Sequence, residues 1–312
     1  MGLFHGVRAY FGLSICFLLG TCKCSHAQST RPGLEGMSPS KWITFKNTQA
    51  PGRVYAFHNG EYKTCTQEDF FVKAWFPLMH KSRFSLLVGP QYRTEQLELT
   101  KSSSGNDYPI KQLSNWNLRS IGLDIKSLIT VDSSSWILTN FNINQSGSLF
   151  DGSHAQAPLN YTIMGAYIKK NSPNKEFGFG ILANRGFNTL TVLPVFVYHY
   201  NYSKKAGIEI NLPYKIAWRY NLSPSDIIYL KAEGLTRSYY IKCIDTDSYT
   251  TFRKLDVDMG VYYNRKITKL IGVELFGGYR KNLTSKLPDG VKSIKTSGMA
   301  FSMELYIKPP RR

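Results

Sequence analysis

The sequence predicts an all-β fold, an antiparallel transmembrane β-barrel of about 12–14 strands. Three observations support this prediction: an export signal opens the chain, aromatic residues make up 14% of it although its mean hydropathy is slightly negative, and apolar residues alternate with polar ones. Hydropathy alone leaves a soluble secreted domain open, because barrel strands alternate and escape a search for apolar runs. The aromatic-rich but polar composition favours the barrel, whose strands have one lipid face and one wet face.

Residues 1–27 have the pattern of a cleaved signal peptide. Arg8 provides a positive start, residues 9–21 form a short apolar run, and Ser25-His26-Ala27 offers small residues before a cut at Gln28. The run is shorter than the roughly 20 apolar residues that span a bilayer. A lipoprotein cut before Cys22 is the weaker alternative, because Thr21 stands where Gly, Ala or Ser is usual. Export to the bacterial outer membrane is therefore expected.

Residues 28–51 are rich in Ser, Pro, Gly and Thr and are predicted to form an extended periplasmic arm, followed by the barrel over 52–312. The sequence does not decide whether a first strand lies near 52–57. Pro213 is expected in a tight turn, and short links should alternate with long ones. The other predicted strands lie near 68–78, 83–99, 117–129, 135–145, 159–170, 176–185, 190–202, 206–212, 214–221, 226–242, 251–264, 268–282 and 294–308.

Residue parity separates the two faces of the last strands. In 253–265 the odd positions carry Leu255, Val257 and Met259, whereas the even positions carry Lys254 and Asp256. The segments 227–241, 268–282 and 298–308 divide in the same way. A helix cannot sort residues with a period of two, because its own period is 3.6.

The polar faces predict a charged barrel interior. Charges in a confined space should pair or remain hydrated, so two interpretations stay open: a narrow channel favouring anions or acidic solutes, and a salt-bridged interior that only holds the barrel together. The predicted interior charges are Lys73, Arg93, Glu95, Asp124, Lys126, Glu209, Lys215, Arg219, Lys231, Glu233, Arg237, Asp256, Asp258, Glu274, Arg280 and Glu304.

Several short segments resemble a known family. They are Phe76-Pro77, Glu176-Phe177-Gly178-Phe179-Gly180, Leu193-Pro194-Val195, Leu212-Pro213 and Trp218-Arg219-Tyr220. Together they resemble an uncharacterised β-barrel family of Gram-negative outer membranes, a domain of unknown function. The resemblance covers roughly residues 60–308 and implies fold and location, with no catalytic or ligand residues to transfer. Many such barrels end on an aromatic residue that the assembly machinery reads, whereas this chain continues past Tyr306 to Pro309-Pro310-Arg311-Arg312.

No residue pattern points to an enzyme, a cofactor or a metal site. Asp151, Ser153 and His154 share one loop, but neighbouring loop residues rarely form an oriented nucleophile and base. His199, between Tyr198 and Tyr200, is expected in the wall near the membrane boundary. The tyrosines expected to form an aromatic girdle are Tyr198, Tyr200, Tyr202, Tyr220, Tyr262 and Tyr263.

The formal net charge of +18 has a plain explanation in Lys and Arg spread over turns and membrane rims. No nucleic-acid motif accompanies it. Only Cys65 and Cys243 follow the signal peptide, and whether they pair is left open. The expected partners are outer-membrane lipids, lipopolysaccharide and the barrel-assembly machinery.

Three functions remain from sequence alone. The first is a barrel that passes small polar or anionic solutes. The second is a structural or attachment barrel that acts through its outer loops, and the third is a soluble secreted all-β binding protein.

Overall fold

The computed structural model describes residues 32–57, 62–99, 118–148, 153–186, 189–243, 248–286, 291–295 and 297–309. These residues form sixteen strands and one short helix, α1 (Ser153–Gln156). The strands are β1 (Ile43–Phe57), β2 (Tyr62–Ala74), β3 (Phe76–His80), β4 (Phe84–Leu99), β5 (Leu118–Thr130), β6 (Ser135–Ser148), β7 (Asn160–Ser172), β8 (Lys175–Gly186), β9 (Thr189–Tyr200), β10 (Ala206–Leu212), β11 (Lys215–Asn221), β12 (Asp226–Cys243), β13 (Ser248–Lys266), β14 (Ile271–Lys286), β15 (Val291–Lys295) and β16 (Gly298–Ile307).

The strands close into a ring of fourteen. Its order is β1-β16-β14-β13-β12-β11-β10-β9-β8-β7-β6-β5-β4-β2, and β2 returns to β1. Neighbours around the ring pair antiparallel, while β3 pairs with β4 and β15 pairs with β1. The predicted antiparallel barrel is confirmed. Closure satisfies the backbone N–H and C=O groups that an open sheet edge would leave bare in lipid.

The first strand is longer than expected. β1 begins at Ile43, so residues 43–51, which the sequence assigned to the arm, pair with β2 and β16. The outward positions of this segment include Asn47 and Gln49 beside Phe45. Because those polar residues break the apolar outer face, the alternation that marks the other strands is missing here. The expected arm boundary at residue 51 is therefore corrected to Trp42.

Exposure follows the predicted parity. On β13 the even residues Lys254, Asp256 and Asp258 are buried, whereas Met259 and Val261 are exposed. The outer face carries a broad apolar surface, with exposed large side chains on most strands around the ring: Phe45, Ile121, Ile163, Tyr167, Phe179, Ile181, Leu230, Val261, Leu275, Phe301, Met303 and Leu305. An apolar exterior around a charged interior suits a barrel whose solvent is lipid.

Aromatic side chains stack along the outer face of β8 and β9. Phe179 packs on Phe196, and the row continues through Tyr198, Tyr200 and Tyr202. Tyr220 stacks on Trp218 on the outer face of β11. Tyr262 corrects the expected girdle: it is buried inside the barrel and stacks on Phe276.

The two ends of the barrel have different links. Residues 81–83, 131–134, 173–174, 201–205, 222–225 and 267–270 form short turns at the end where β1 begins and β16 ends. The opposite end carries the two longest links, 100–117 and 149–159, together with short ones at 187–188 and 213–214. Outer-membrane barrels have short periplasmic turns and longer outer loops, so the short-turn end is called the periplasmic end.

The barrel wall is shorter at the β10–β11 hairpin. β10 and β11 have seven residues each, with Pro213 in the turn between them, as expected. β9 pairs with β10 only over Phe196–Tyr200, and β12 pairs with β11 only over Ile227–Glu233. Beyond the hairpin β12 leaves this side of the wall, and Tyr240 pairs with Gly147 of β6. The outer part of β12 therefore divides the space inside the barrel.

No helix in the described part of the chain is long and apolar enough to cross a membrane.

Candidate functional site: the barrel interior

A network of charged side chains crosses the interior near the outer end. Arg237 of β12 pairs with Asp69 of β2, and its Nη1 lies 3.3 Å from Glu95 Oε2 of β4. Lys254 of β13 also pairs with Glu95, which is fully buried. Arg93 Nη1 lies 3.7 Å from Asp69 Oδ2. Because these strands face one another across the ring, the ion pairs fill the space between opposite walls.

The carboxylates of β13 bond to the neighbouring strand. Arg280 Nε and Nη2 donate to the two oxygens of Asp258 at 2.6 and 2.7 Å, a bidentate pair. Asp256 accepts from Asn282 Nδ2 at 2.7 Å. These two carboxylates, both among the predicted interior charges, are therefore bonded to partners on β14.

A third cluster lies nearer the periplasmic end. Lys231 Nζ lies 3.1 Å from Glu233 and 3.6 Å from Glu274. Lys41, which precedes β1, lies 3.2 Å from Glu274 and 2.6 Å from Glu304. Burial by itself would lower the pKa of Lys41, but these two carboxylates raise it above its usual range. Lys41 therefore stays charged at neutral pH and holds the segment directly before β1 to β14 and β16.

The remaining predicted charges form two smaller groups. Glu209 binds Lys215 Nζ at 2.8 Å and Arg219 Nε at 3.1 Å. Lys73 pairs with Asp124, and Lys126 is two residues further along the same strand as Asp124. The structure thus brings most of the predicted charges into mutual ion pairs rather than into one open polar path.

Residues 32–42, called here the arm, lie across the periplasmic mouth. Gly33 N donates to both oxygens of Glu176 on β8, at 3.0 and 2.8 Å, and Lys170 Nζ donates to Gly33 O at 2.9 Å. Ser38 N donates to the hydroxyl of Tyr229 on β12 at 2.9 Å. The arm ends at Trp42, whose N donates to Ile307 O at 2.7 Å.

The two ends of the arm are held on opposite sides of the barrel. Lys41 binds Glu304 of β16, and Gly33 binds Glu176 of β8. In the ring β14, β13, β12, β11, β10 and β9 separate these two strands, which is half of the circumference. Gly36 has a φ of 79°, and an added Cβ would meet the side chains of Arg219 and Asn221. The arm is therefore fitted closely to the inner wall.

His199 and Glu176 were not predicted as an interior pair. His199 Nδ1 lies 2.6 Å from Glu176 Oε1, and its Nε2 lies 3.0 Å from Asn211 Oδ1. Both side chains are buried. His199 lies in the wall, one residue before the end of β9, and its side chain faces the interior because the inward residues of β9 are the odd ones. The pair fixes the carboxylate that receives the arm.

An apolar cavity of about 360 Å³ lies above the arm. The inward side chains of β6, β7 and β9 form its wall, and Met37 and Gly33 of the arm form its floor. Glu176, His199 and Asn211 border it, and Leu212 and Tyr214 lie at the low hairpin. The apolar wall residues are Leu138, Met164, Ala166, Ile168, Val195 and Val197. The interior therefore has a charged part and an apolar part.

The lining carries no Ser, Thr or Cys that could act as a nucleophile beside His199. Asp151 lies outside the described residues, as do the side chains of Ser153, His154, Cys65 and Cys243. Among the described residues, no group of three or more His, Cys, Asp or Glu side chains is placed to hold a metal ion.

Sequence reasoning missed the arm contacts and the cavity. Glu176 and His199 face inward by parity, but the sequence gives no sign that the arm reaches them. The apolar inward residues of β7, Met164, Ala166 and Ile168, were a readable signal, since both faces of that strand are apolar.

The closed fourteen-strand ring, its apolar exterior and its charged interior define an outer-membrane β-barrel in contact with membrane lipid. This excludes the soluble secreted binding protein considered from sequence. The model of a domain of unknown function, DUF6268, matches residues 158–294, so the resemblance to such a domain is confirmed. The match contains the segments from Glu176 to Tyr220 that carried the resemblance, but not Phe76-Pro77.

Solved barrels from Gram-negative bacteria are similar in outline. The COG4313 outer membrane channel from Pseudomonas putida F1 has a TM-score of 0.45 at 9% identity, covering 89% of this chain and 99% of that chain. LpxR from Salmonella typhimurium has a TM-score of 0.40 at 8% identity, over 86% and 100%. The toluene transporter TodX from Pseudomonas putida has a TM-score of 0.37 at 6% identity, over 87% and 90%. No curated protein matches the sequence.

Proposed function

We propose that this barrel is a gated passage for small solutes, closed at the periplasmic mouth by the arm. The observation that carries the proposal is the attachment of the arm to opposite walls, through Lys41 at β16 and Gly33 at β8. A segment held across the mouth at both ends blocks the path between the interior and the periplasm. It can open that path if the attachment of Gly33 to Glu176 is released, because the other end of the arm continues into β1.

The charged network does not favour anions in this proposal. Arg237, Lys254 and Arg280 are neutralised by Asp69, Glu95 and Asp258. A cation that is already paired offers little to a passing anion, and separating a buried pair is costly. The expected preference for anionic solutes is therefore dropped from the proposal, and the path is assigned to the part of the interior that borders the arm.

Liposome swelling tests the gate. Protein reconstituted into liposomes is diluted into erythritol, a small uncharged solute, and the rate of swelling is followed by light scattering. We expect slow swelling with the natural sequence and swelling several-fold faster with Glu176→Ala, because Gly33 N then loses the carboxylate that holds the arm to β8. Glu35→Ala, at an exposed position of the arm, is the matched control.

Heat-modifiable migration on a gel confirms that each variant is folded. If folded Glu176→Ala swells no faster than the control or than protein-free liposomes, the arm is not a gate. That result would favour the structural barrel instead, for which the ion pairs between β12 and the opposite strands β2 and β4 are the supporting observation.

A further inference from the structure

The described part of the inner wall has two apolar clusters, and the one on β7, β8 and β9 borders the cavity. On β7 the inward residues are Met164, Ala166 and Ile168, and on β9 they include Val195 and Val197. Inward positions on β2, β4, β5 and β10–β14 carry buried charges, and the second apolar cluster, which includes Ala217, Tyr262 and Phe276, does not line the cavity. An outer-membrane barrel normally has a polar interior. A cluster of five apolar side chains facing that interior therefore calls for an apolar occupant rather than water.

The cavity is large enough for a small molecule. An apolar cavity of roughly 150 Å³ stays dry and accepts benzene, and this one has about 360 Å³. Ligand pockets in proteins begin at roughly 300 Å³. A molecule about twice the size of benzene would fit among Met164, Val195 and Met37 without displacing the arm.

The ionisable groups at the cavity are already committed to each other. Glu176 accepts from Gly33 N and lies against His199, whose other ring nitrogen faces Asn211. A charged ligand would have to break these bonds or remain unpaired in an apolar space, which is costly. The cavity chemistry thus selects uncharged molecules.

The low wall gives the cavity a side opening. Leu212 and Tyr214 of the β10–β11 turn line the cavity. Above them β9 continues to Thr189 without a partner on the β10 side, and β12 turns away toward β6. The exposed residues on this stretch of β9 are Leu190, Val192 and Leu193. The β9 side of the opening is therefore apolar, which suits the approach of a molecule dissolved in lipid.

We infer that the cavity is a binding site for a small, uncharged, apolar molecule. Only one part of this inference rests on the proposed passage, namely that the bound molecule is also the solute that passes through the barrel. The site itself exists in the closed barrel. It is bounded by the arm below and by the inward faces of β6, β7 and β9.

Equilibrium binding of tritiated naphthalene tests the site. The purified protein is immobilised on beads in detergent, and an excess of unlabelled naphthalene defines the saturable fraction. We expect about one saturable site per barrel, and at least a ten-fold loss of affinity in Ala166→Phe, which fills the cavity. Ile163→Phe, on the outer face of the same strand, should bind as the natural sequence does.

Val197→Phe is a second variant that fills the cavity, in case Ala166→Phe fails to fold. Binding of 2-naphthalenesulfonate, a charged analogue of naphthalene, tests whether the cavity selects uncharged molecules. The inference is overturned if the natural barrel shows no saturable naphthalene binding, if a folded filling variant binds undiminished, or if the sulfonate binds equally well. Because the test uses the closed barrel, binding can succeed while the swelling test fails. The two failures are thus separable.

Discussion

Arg237 illustrates how single residues hold this interior together. Its side chain is almost fully buried and lies between Asp69 and Glu95, which belong to the opposite wall. Without Arg237, Glu95 keeps only Lys254 and Asp69 keeps only the more distant Arg93, so two buried carboxylates lose the cation they share. Breaking a buried pair by removing one partner costs more than the intact pair contributes.

We therefore expect Arg237→Met to lower the free energy of unfolding by about 3–5 kcal/mol. Arg265→Met is the matched control, since the Arg265 side chain is 60% exposed and lies 3.8 Å from Asp226. An exposed pair of this kind contributes at most about 1 kcal/mol. Urea unfolding in lipid vesicles, followed by gel migration, measures both. Equal losses in the two variants would show that the network does not bear on stability.

Gly36 makes a second prediction at the residue scale. Its φ of 79° disfavours any side chain, and an added Cβ would meet Arg219 and Asn221. Gly36→Ala should loosen the arm, so a cysteine placed at Ser38 should react at least several-fold faster with a water-soluble maleimide. Gly165→Ala, where a Cβ has open space, is the control. Unchanged labelling in Gly36→Ala would mean that the arm does not depend on this close fit.

Parity in the sequence predicted which charged residues face inward, but it could not predict their partners. Asp258 and Arg280 lie on adjacent strands and could have been paired from a hairpin register. Arg237 and Asp69 lie on opposite walls, and their distance depends on how the whole ring closes. Lys41 was missed for the same reason, because nothing local places an arm residue against β14 and β16.

At the scale of elements, the periplasmic turns are shaped by local side-chain bonds. In the turn at 131–134, Ser134 N donates to Asp132 Oδ1 at 2.7 Å, and Ser134 Oγ donates to the same oxygen at 3.0 Å. The backbone bond from Ser134 is the main reason that the pKa of Asp132 lies below its usual range.

Because its pKa is lowered, the Asp132 carboxylate stabilises the turn to an extent that depends on pH. The contribution of the Asp132 carboxylate is fully present above its unfolded pKa of about 4 and is lost as the pH falls through the folded pKa. We expect Ser134 amide hydrogen exchange, corrected for its intrinsic rate, to be slower than in Asp132→Ala at pH 6. The difference should shrink as the pH approaches about 2. A difference that stayed constant with pH would contradict this assignment.

The element that sequence placed least well was β1. Its polar outward residues Asn47 and Gln49 hide the period of two, and its pairing with β2 and β16 is set by closure of the ring. The β10–β11 hairpin was placed well because Pro213 marks its turn. What the sequence did not predict is that so short a hairpin leaves the wall low between β9 and β12.

For the whole molecule, the apolar exterior predicts how outward substitutions behave. Leu230 is 58% exposed on the outer face of β12, and Leu222 is 50% exposed in a periplasmic turn. An arginine on the lipid face costs about 2–4 kcal/mol near the membrane midplane and about 0–1 kcal/mol near the interface. Leu230→Arg should therefore destabilise the barrel in vesicles far more than Leu222→Arg, as measured by urea unfolding. A reversed order would contradict the lipid-facing assignment.

In the proposed passage, a closed wall, a paired interior and an arm across the mouth keep the barrel shut at rest. Single-channel recording in planar bilayers tests this most directly, with the natural sequence compared with a variant lacking residues 32–41. We expect the natural barrel to stay closed for most of the recording and the shortened variant to show discrete conductance steps. Equal conductance from the two proteins, both folded by heat-modifiable migration, would contradict it.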